Sequence, residues 1–130
     1  MAYDVEVILM RQMASHLAMP VFMVDPKGTL IYFNEPAEPL LGRRFEEAGE
    51  MPVEEWSTVF LPTDAKGRPL APEQLPLVIA LEQRRPAHAG FFIEGLDGKR
   101  RRLSVTAFPL IGHDSRELGA VAMFWEEPGA

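Results

Sequence analysis

Cysteine is missing from all 130 residues. Its absence removes disulfides, thiol nucleophiles, thiolate metal sites and cysteinyl flavin adducts together. It also fits a reducing compartment. Histidine is scarce: His16, His88 and His113 stand far apart, without metal-ligand spacing. Positive charge is in deficit, with 13 Lys and Arg against 19 Asp and Glu and a formal net charge of −6. Phosphate attraction needs a basic surface, so the balance argues against a nucleic-acid binder. No apolar run is long enough to span a bilayer. Asp4 and Glu6 precede any apolar run, where a signal peptide would carry a basic n-region. A glycine-rich phosphate loop is missing too. Together these absences predict a soluble, cytoplasmic chain with no membrane or nucleic-acid partner.

What is present is a globular composition, 47% hydrophobic, in a length that suits one domain with a real core. Met1 opens the chain and the domain pattern nearly fills it, so it reads as a complete short polypeptide. Val21 to Gly42 is the most informative stretch. Val21 to Val24 is a short apolar strand. Asp25, Pro26, Lys27 and Gly28 are turn residues, Pro26 presetting φ and Gly28 supplying φ > 0. Thr29 to Phe33 is β-branched and aromatic, a second strand. Asn34 suits a helix N-cap, Pro36 the first turn, and Gly42 the helix end.

Upstream, residues 2–18 read as a helix, with Val5, Leu9, Met13 and Leu17 at spacing four and Ile8 and Met10 beside them. Pro20 ends it. This wide stripe packs on its own domain, on a second copy, or on both. Downstream, Arg43 to Glu50 reads as a charged, solvated face or loop and Val53 to Phe60 as one or two helical turns. Leu61 to Pro72 reads as loop, and Glu73 to Arg84 as a helix closed by Pro86. Ala87 to Gly95, Lys99 to Ile111 and Glu117 to Glu126 read as strands, joined by turns at Leu96–Gly98 and Gly112–Ser115. Two strands, helices, then three strands predict an α+β domain with helices on one face of an antiparallel sheet. The division is a flanking helix over 1–19 and a domain over 20–127.

The stretches VFMVDPKGTLIYFN, EPAEPLLG, LPLVIALEQRRP, GLDGKRRRLSVTAFPL and GAVAMFWE, in this order and at these distances, resemble a PAS domain. PAS domains are the sensor modules of many bacterial signalling proteins. The resemblance covers Pro20 to Glu126. It implies a five-stranded antiparallel sheet of order 2-1-5-4-3, with helices over one face and a preceding helix that often mediates dimers. It also implies an output domain such as a kinase, cyclase or DNA-binding domain. No such domain is read in this sequence, so the output is expected from a separate partner, such as a kinase or transcription regulator, or is absent. The photochemistry of the light-oxygen-voltage class and the chromophore anchor of photoactive yellow protein both need a cysteine and are excluded, which leaves non-covalent flavin binding open. Haem-binding members usually place an axial histidine on the helix before the third strand. Glu73 to Arg84 has none, which leaves His88 as a remote candidate.

Candidate site residues follow from the apolar faces. A pocket wall is expected from Phe22, Val24, Tyr32, Leu41, Trp56, Phe60, Val78, Ile79, Phe91, Ile93, Val105, Ala107, Val121 and Met123. Tyr32, Asn34 and Trp56 are its candidate polar anchors. The same residues can equally pack solid. Dimerisation candidates are Val5, Ile8, Leu9, Met13 and Leu17. Lys99 to Arg102 alternates across a strand, so its charges divide between the faces and find acidic neighbours. His113, Asp114 and Ser115 are turn formers, because a catalytic line needs residues converging from different elements. No carboxylates pair convincingly as acid and base. The chain therefore reads as a non-enzymatic sensory or interaction domain, with or without a small apolar ligand. The alternative is a ligand-free dimerisation or adaptor module.

Overall fold

The structure, a computed structural model, describes residues 4–60, 62–95 and 97–127, without the side chains of 57–59. Its sheet has five strands: β1 (Val21–Val24), β2 (Leu30–Phe33), β3 (Ala87–Glu94), β4 (Arg100–Ile111) and β5 (Glu117–Glu126). Every pairing is antiparallel and the spatial order is β2-β1-β5-β4-β3. Helices α2 (Glu38–Leu41), α3 (Phe45–Ala48), α4 (Val53–Val59) and α5 (Pro76–Gln83) follow β2 in the chain. Helix α1 (Val5–Ala14) precedes the sheet. Among the described residues, no helix is long and apolar enough to cross a membrane.

All four residues of β1 are buried. Successive strand side chains point to opposite faces, so full burial means that both faces are covered. Phe22 and Val24 belong to an inner core with Leu41, Trp56, Phe60, Leu77 and Val78. Val21 and Met23 belong to an outer core with Val7 and Ala14 of α1. The central strands are therefore sealed by the α2–α5 segment on one side and by α1 on the other.

The β1–β2 turn is built as its residues dictate. The Asp25 carboxylate accepts from the Lys27 and Thr29 amides at 2.9 and 3.0 Å. Gly28 turns the chain at φ 87°. The loop after α4 then closes the β3 edge. Thr63 and Phe92 exchange backbone hydrogen bonds of 2.8 and 2.9 Å, and the Glu94 amide donates to Phe60.

Several expectations need correction. The first helix is shorter than residues 2–18, of which 2 and 3 lie outside the described residues. It stops at Ala14, six residues before Pro20, where the Ser15, His16 and Leu17 amides turn back onto Arg11, Met13 and Ala14 carbonyls. The expected helix over Glu73–Arg84 is split into a 3-10 turn, Pro72–Gln74, and α5. Pro76 pushes Leu75 out of the helical region, to ψ 133°. Within the charged segment, read as a solvated face or loop, Phe45–Ala48 forms α3. In β5 simple strand alternation would put Leu118 on the same face as Ala120, but the two face opposite sides. A register shift opposite Leu110 and Ile111 puts Leu118 in the outer core with Val121, while Ala120, Ala122 and Phe124 face inward.

The start of α1 is clamped to the β4–β5 turn. Arg116 holds Asp4 at 2.9 Å and Glu6 at 3.3 Å. The His113 amide donates to Glu6 Oε2 at 3.1 Å, and this bond, more than the charge of Arg116, lowers the Glu6 pKa below 4.5. A carboxyl lowered in the folded state contributes stability above its unfolded pKa and loses it as pH falls through the folded value. The His113 amide resonance should therefore titrate with a midpoint below 4.5, and Glu6→Gln should abolish that step. A midpoint at or above the ordinary value would show that the clamp is not formed.

Candidate functional site

Inside the inner core is a cavity of about 80 Å³. Its wall comes from every layer of the domain. Phe22, Phe91, Ile93, Leu103, Val105, Ala122 and Phe124 rise from the sheet. Leu41, Trp56, Phe60, Pro62, Leu75, Pro76 and Leu77 close it from the helical side. These elements meet there because inward residues on four neighbouring strands share one face, and β2–β3 is one long helical crossing over it.

Among the described residues, the wall is entirely apolar. Trp56 brings the indole N–H nearest, but Nε1 donates to the Gly28 carbonyl at 2.8 Å. The same bond fixes α4 against the β1–β2 turn. Apolar cavities of this kind stay dry, because water needs two or more polar partners. The arrangement suits a small uncharged molecule held by dispersion and shape. The described wall residues offer no hydrogen bond to a flavin and no axial ligand to a haem, and both groups are far larger than the space.

Of the residues expected in the wall, Phe22, Leu41, Trp56, Phe60, Phe91, Ile93 and Val105 line the cavity. Val24, Val78 and Ala107 lie in the inner core without lining it, and Ile79 is half-buried. Val121 is in the outer core, and Tyr32 and Met123 pack against that core, on the opposite side of the sheet. Leu75, Leu77, Leu103, Ala122 and Phe124 were not expected there. Leu103 shares its face with Val105 by simple alternation, which is the signal that could have found it.

Asn34 is neither an anchor for the cavity nor a helix cap. The 3-10 turn Glu35–Ala37 has no side-chain cap bond. Instead the Asn34 side chain is 0% exposed and turns backward. Its Oδ1 accepts from the Val21 amide at 2.9 Å, and its Nδ2 donates to the Ala14 and Met19 carbonyls, each at 2.9 Å. One side chain thus ties the end of α1 to the start of β1.

The dimerisation candidates divide. Val5, Ile8, Leu9 and Met13 are 62, 50, 57 and 50% exposed. Leu17 packs instead against the outer core of its own domain, because the chain has left the helix by that point. Own-domain packing of α1 runs through Val7, Met10 and Ala14.

The basic cluster is dispersed. Arg101, on the inner parity, donates to the Leu40 carbonyl at 3.1 Å and pairs with Asp97 at 3.1 Å. The Arg101 hydrogen bond is the main reason the Asp97 pKa is lowered. Arg100 lies 3.9 Å from the Phe92 ring centroid. His88 sits on the outer face beside Trp125, with Nε2 3.4 Å from Ser104 Oγ, and does not reach the cavity. Among the described residues, no three His, Asp or Glu side chains gather as a metal site would need. Asp114 and Ser115 shape a turn with φ of 58° and 59°.

No curated protein matches the chain. Among solved structures it is similar to the PAS domain of a protein from Colwellia psychrerythraea, with 17% identity over 95% of this chain and 98% of that one, TM-score 0.67. It is similar to the PAS domain of Bordetella pertussis BvgS, with 18% identity over 97% and 89% of the two chains, TM-score 0.70. It is also similar to a Rhodobacter sphaeroides LOV protein, with 13% identity over 95% and 68%, TM-score 0.71. At these identities the likeness is one of fold. The family model for the PAS fold matches residues 8–125, from inside α1 to the last turn of the ladder in β5. That span takes in nearly every described element, and the chain belongs to the PAS fold family, whose members are sensory and signalling domains.

Proposed function

We propose that this domain is a non-enzymatic sensory and protein-interaction module. It takes a small apolar molecule into the inner cavity and reports occupancy through the outward face of α1. The observation that carries this reading is the pairing of an apolar-walled cavity with an unpartnered apolar helix face across the same sheet. The mechanism is population shift. A ligand that fits one packing of the core better than another moves the equilibrium between them.

The occupant of the helix face is a second copy of this chain. Val5, Leu9 and Met13 recur at i, i+4, so two such stripes can pack on each other about a two-fold axis. The signal then leaves as a change in dimer geometry, read by a separate kinase or transcription regulator in the cytoplasm. The second reading is a dimerisation or adaptor module without a ligand. It is favoured by the described cavity wall, whose residues are apolar and give a guest no polar group to orient it.

Native and denaturing mass spectra of the wild type and of a Leu9→Glu, Met13→Glu double variant test both readings. The wild type should have twice the chain mass under native conditions, plus a small mass that disappears on denaturation. The variant should be monomeric with an unchanged far-ultraviolet spectrum. A bare dimer selects the adaptor reading. A monomeric wild type, or a double variant that stays dimeric, overturns the α1 interface.

A further inference from the structure

The inner cavity and α1 are on opposite sides of the sheet, so occupancy must pass through the sheet or around its edge. We infer that Phe45 and Arg11 carry it around the β2 edge, as positioning residues that couple the cavity to α1. This deepens the sensory reading above and rests on it.

The placement begins with β2, an outermost strand of the sheet. Its neighbours Tyr32 and Phe33 point to opposite faces. Phe33 is buried in the inner core, its ring stacked at 6.4 Å and 8° on Phe22, which lines the cavity. Tyr32 packs against the outer core. The Phe45 ring, from α3, wraps the edge and touches both. Its centroid is 5.4 Å from that of Phe33 at 84°, and 5.5 Å from that of Tyr32 at 70°. Arg11, from α1, lays its guanidinium 4.6 Å from the Tyr32 centroid and 5.6 Å from that of Phe45.

Phe22, Phe33, Phe45 and Arg11 therefore form an unbroken line from the cavity wall to α1. Edge-to-face rings and a cation over a ring hold preferred orientations, so they transmit rotation better than sliding aliphatic contacts do. Interiors are close-packed, so a guest that displaces Phe22 displaces Phe33 and then Phe45. Arg11 is three residues from Ile8, so a shift under its guanidinium turns the exposed stripe about the helix axis. The polar fastenings of α1 at Arg116 and Asn34 include none of these rings, and its apolar packing through Val7, Met10 and Ala14 faces the outer core, away from the cavity.

The test measures amide hydrogen exchange in α1 relative to central β4 amides, which report global unfolding. Phe22→Leu should lower relative α1 protection by about fivefold, the lower end of ordinary coupling between sites. Phe91→Leu lines the same cavity from the other end of the sheet and should leave α1 unchanged. In an Arg11→Gln background the Phe22→Leu effect should fall below half. Arg11 is exposed, so this variant will fold even where Phe45→Leu does not. An equal Phe22→Leu effect with and without Arg11, or no effect at all, overturns the coupling. Dissolved xenon, an apolar probe of the cavity, tests the underlying reading separately. Xenon that shifts the Leu75, Leu77 and Leu103 methyls should move α1 amides only when Arg11 is present. Xenon that stays out defeats the ligand reading, while the substitutions still decide the coupling.

Discussion

Gly119→Ala is expected to cost more than about 3 kcal/mol or to prevent folding. Gly119 sits in β5, beside β1 in the middle of the sheet, at φ 124°, where L side chains rarely go. A Cβ built there would lie 2.0 Å from the Val24 carbonyl oxygen and 3.0 Å from its carbon. Both neighbours are backbone in a paired strand, so neither can move aside without breaking the β1–β5 ladder. Gly119 directly follows Leu118, the residue skipped where the β4–β5 register shifts and turned into the outer core. Gly67→Ala is the control. It also has positive φ, at 81°, but a Cβ there meets nothing within 4 Å. It should cost only about 1 kcal/mol, the conformational part alone. Urea titration of the two variants separates them. A Gly119→Ala protein within about 1 kcal/mol of wild type would mean that the β1–β5 register can relax.

Asn34→Ala should have the second-largest effect, about 2–4 kcal/mol, since an orphaned buried group costs about 1–3 kcal/mol. The substitution takes the side-chain partner from the Val21 amide and the Met19 carbonyl, and leaves the Ala14 carbonyl with the Leu17 amide alone. Two of these groups belong to Ala14 and Met19, so the loss falls on the junction between α1 and the sheet. Hydrogen exchange should therefore find α1 opening well before β4 and β5. Uniform loss of protection across the domain would show that Asn34 supports the core as a whole and not that junction.

The hairpin of β1 and β2 and the three later strands were legible because turn residues mark their ends. Asp25–Gly28 and the Asp97–Gly98 pair can do little else. Alternation then says which residues share a face, but not which face looks at the helices. That is why Val121 and Met123 were assigned to the cavity while Ala122 and Phe124 line it. A one-residue shift at Gly119 adds a second ambiguity that no pattern of apolar residues reveals. Asn34 illustrates another limit. Asparagine before a helix is read as a cap from local rules, whereas its three partners lie up to 20 residues upstream. The outward stripe of α1 was visible as spacing, but its orientation depended on where Val7 and Ala14 found the sheet.

The clamp between Glu6 and Arg116 joins groups 110 residues apart. Val7 and Ala14 likewise share the outer core with Leu118 and Val121. During synthesis α1 is among the first described elements to emerge and among the last to find its place. Until β5 exists, the inward residues of α1 have only the Val21, Met23 and Ile31 part of the outer core to pack on, without Leu118 and Val121. Closing so long a loop is entropically slow, and domains dominated by distant contacts fold late. The outer core thus makes completion of the domain the step that shelters its own beginning, and the interval before it is when the nascent chain most needs protection from aggregation.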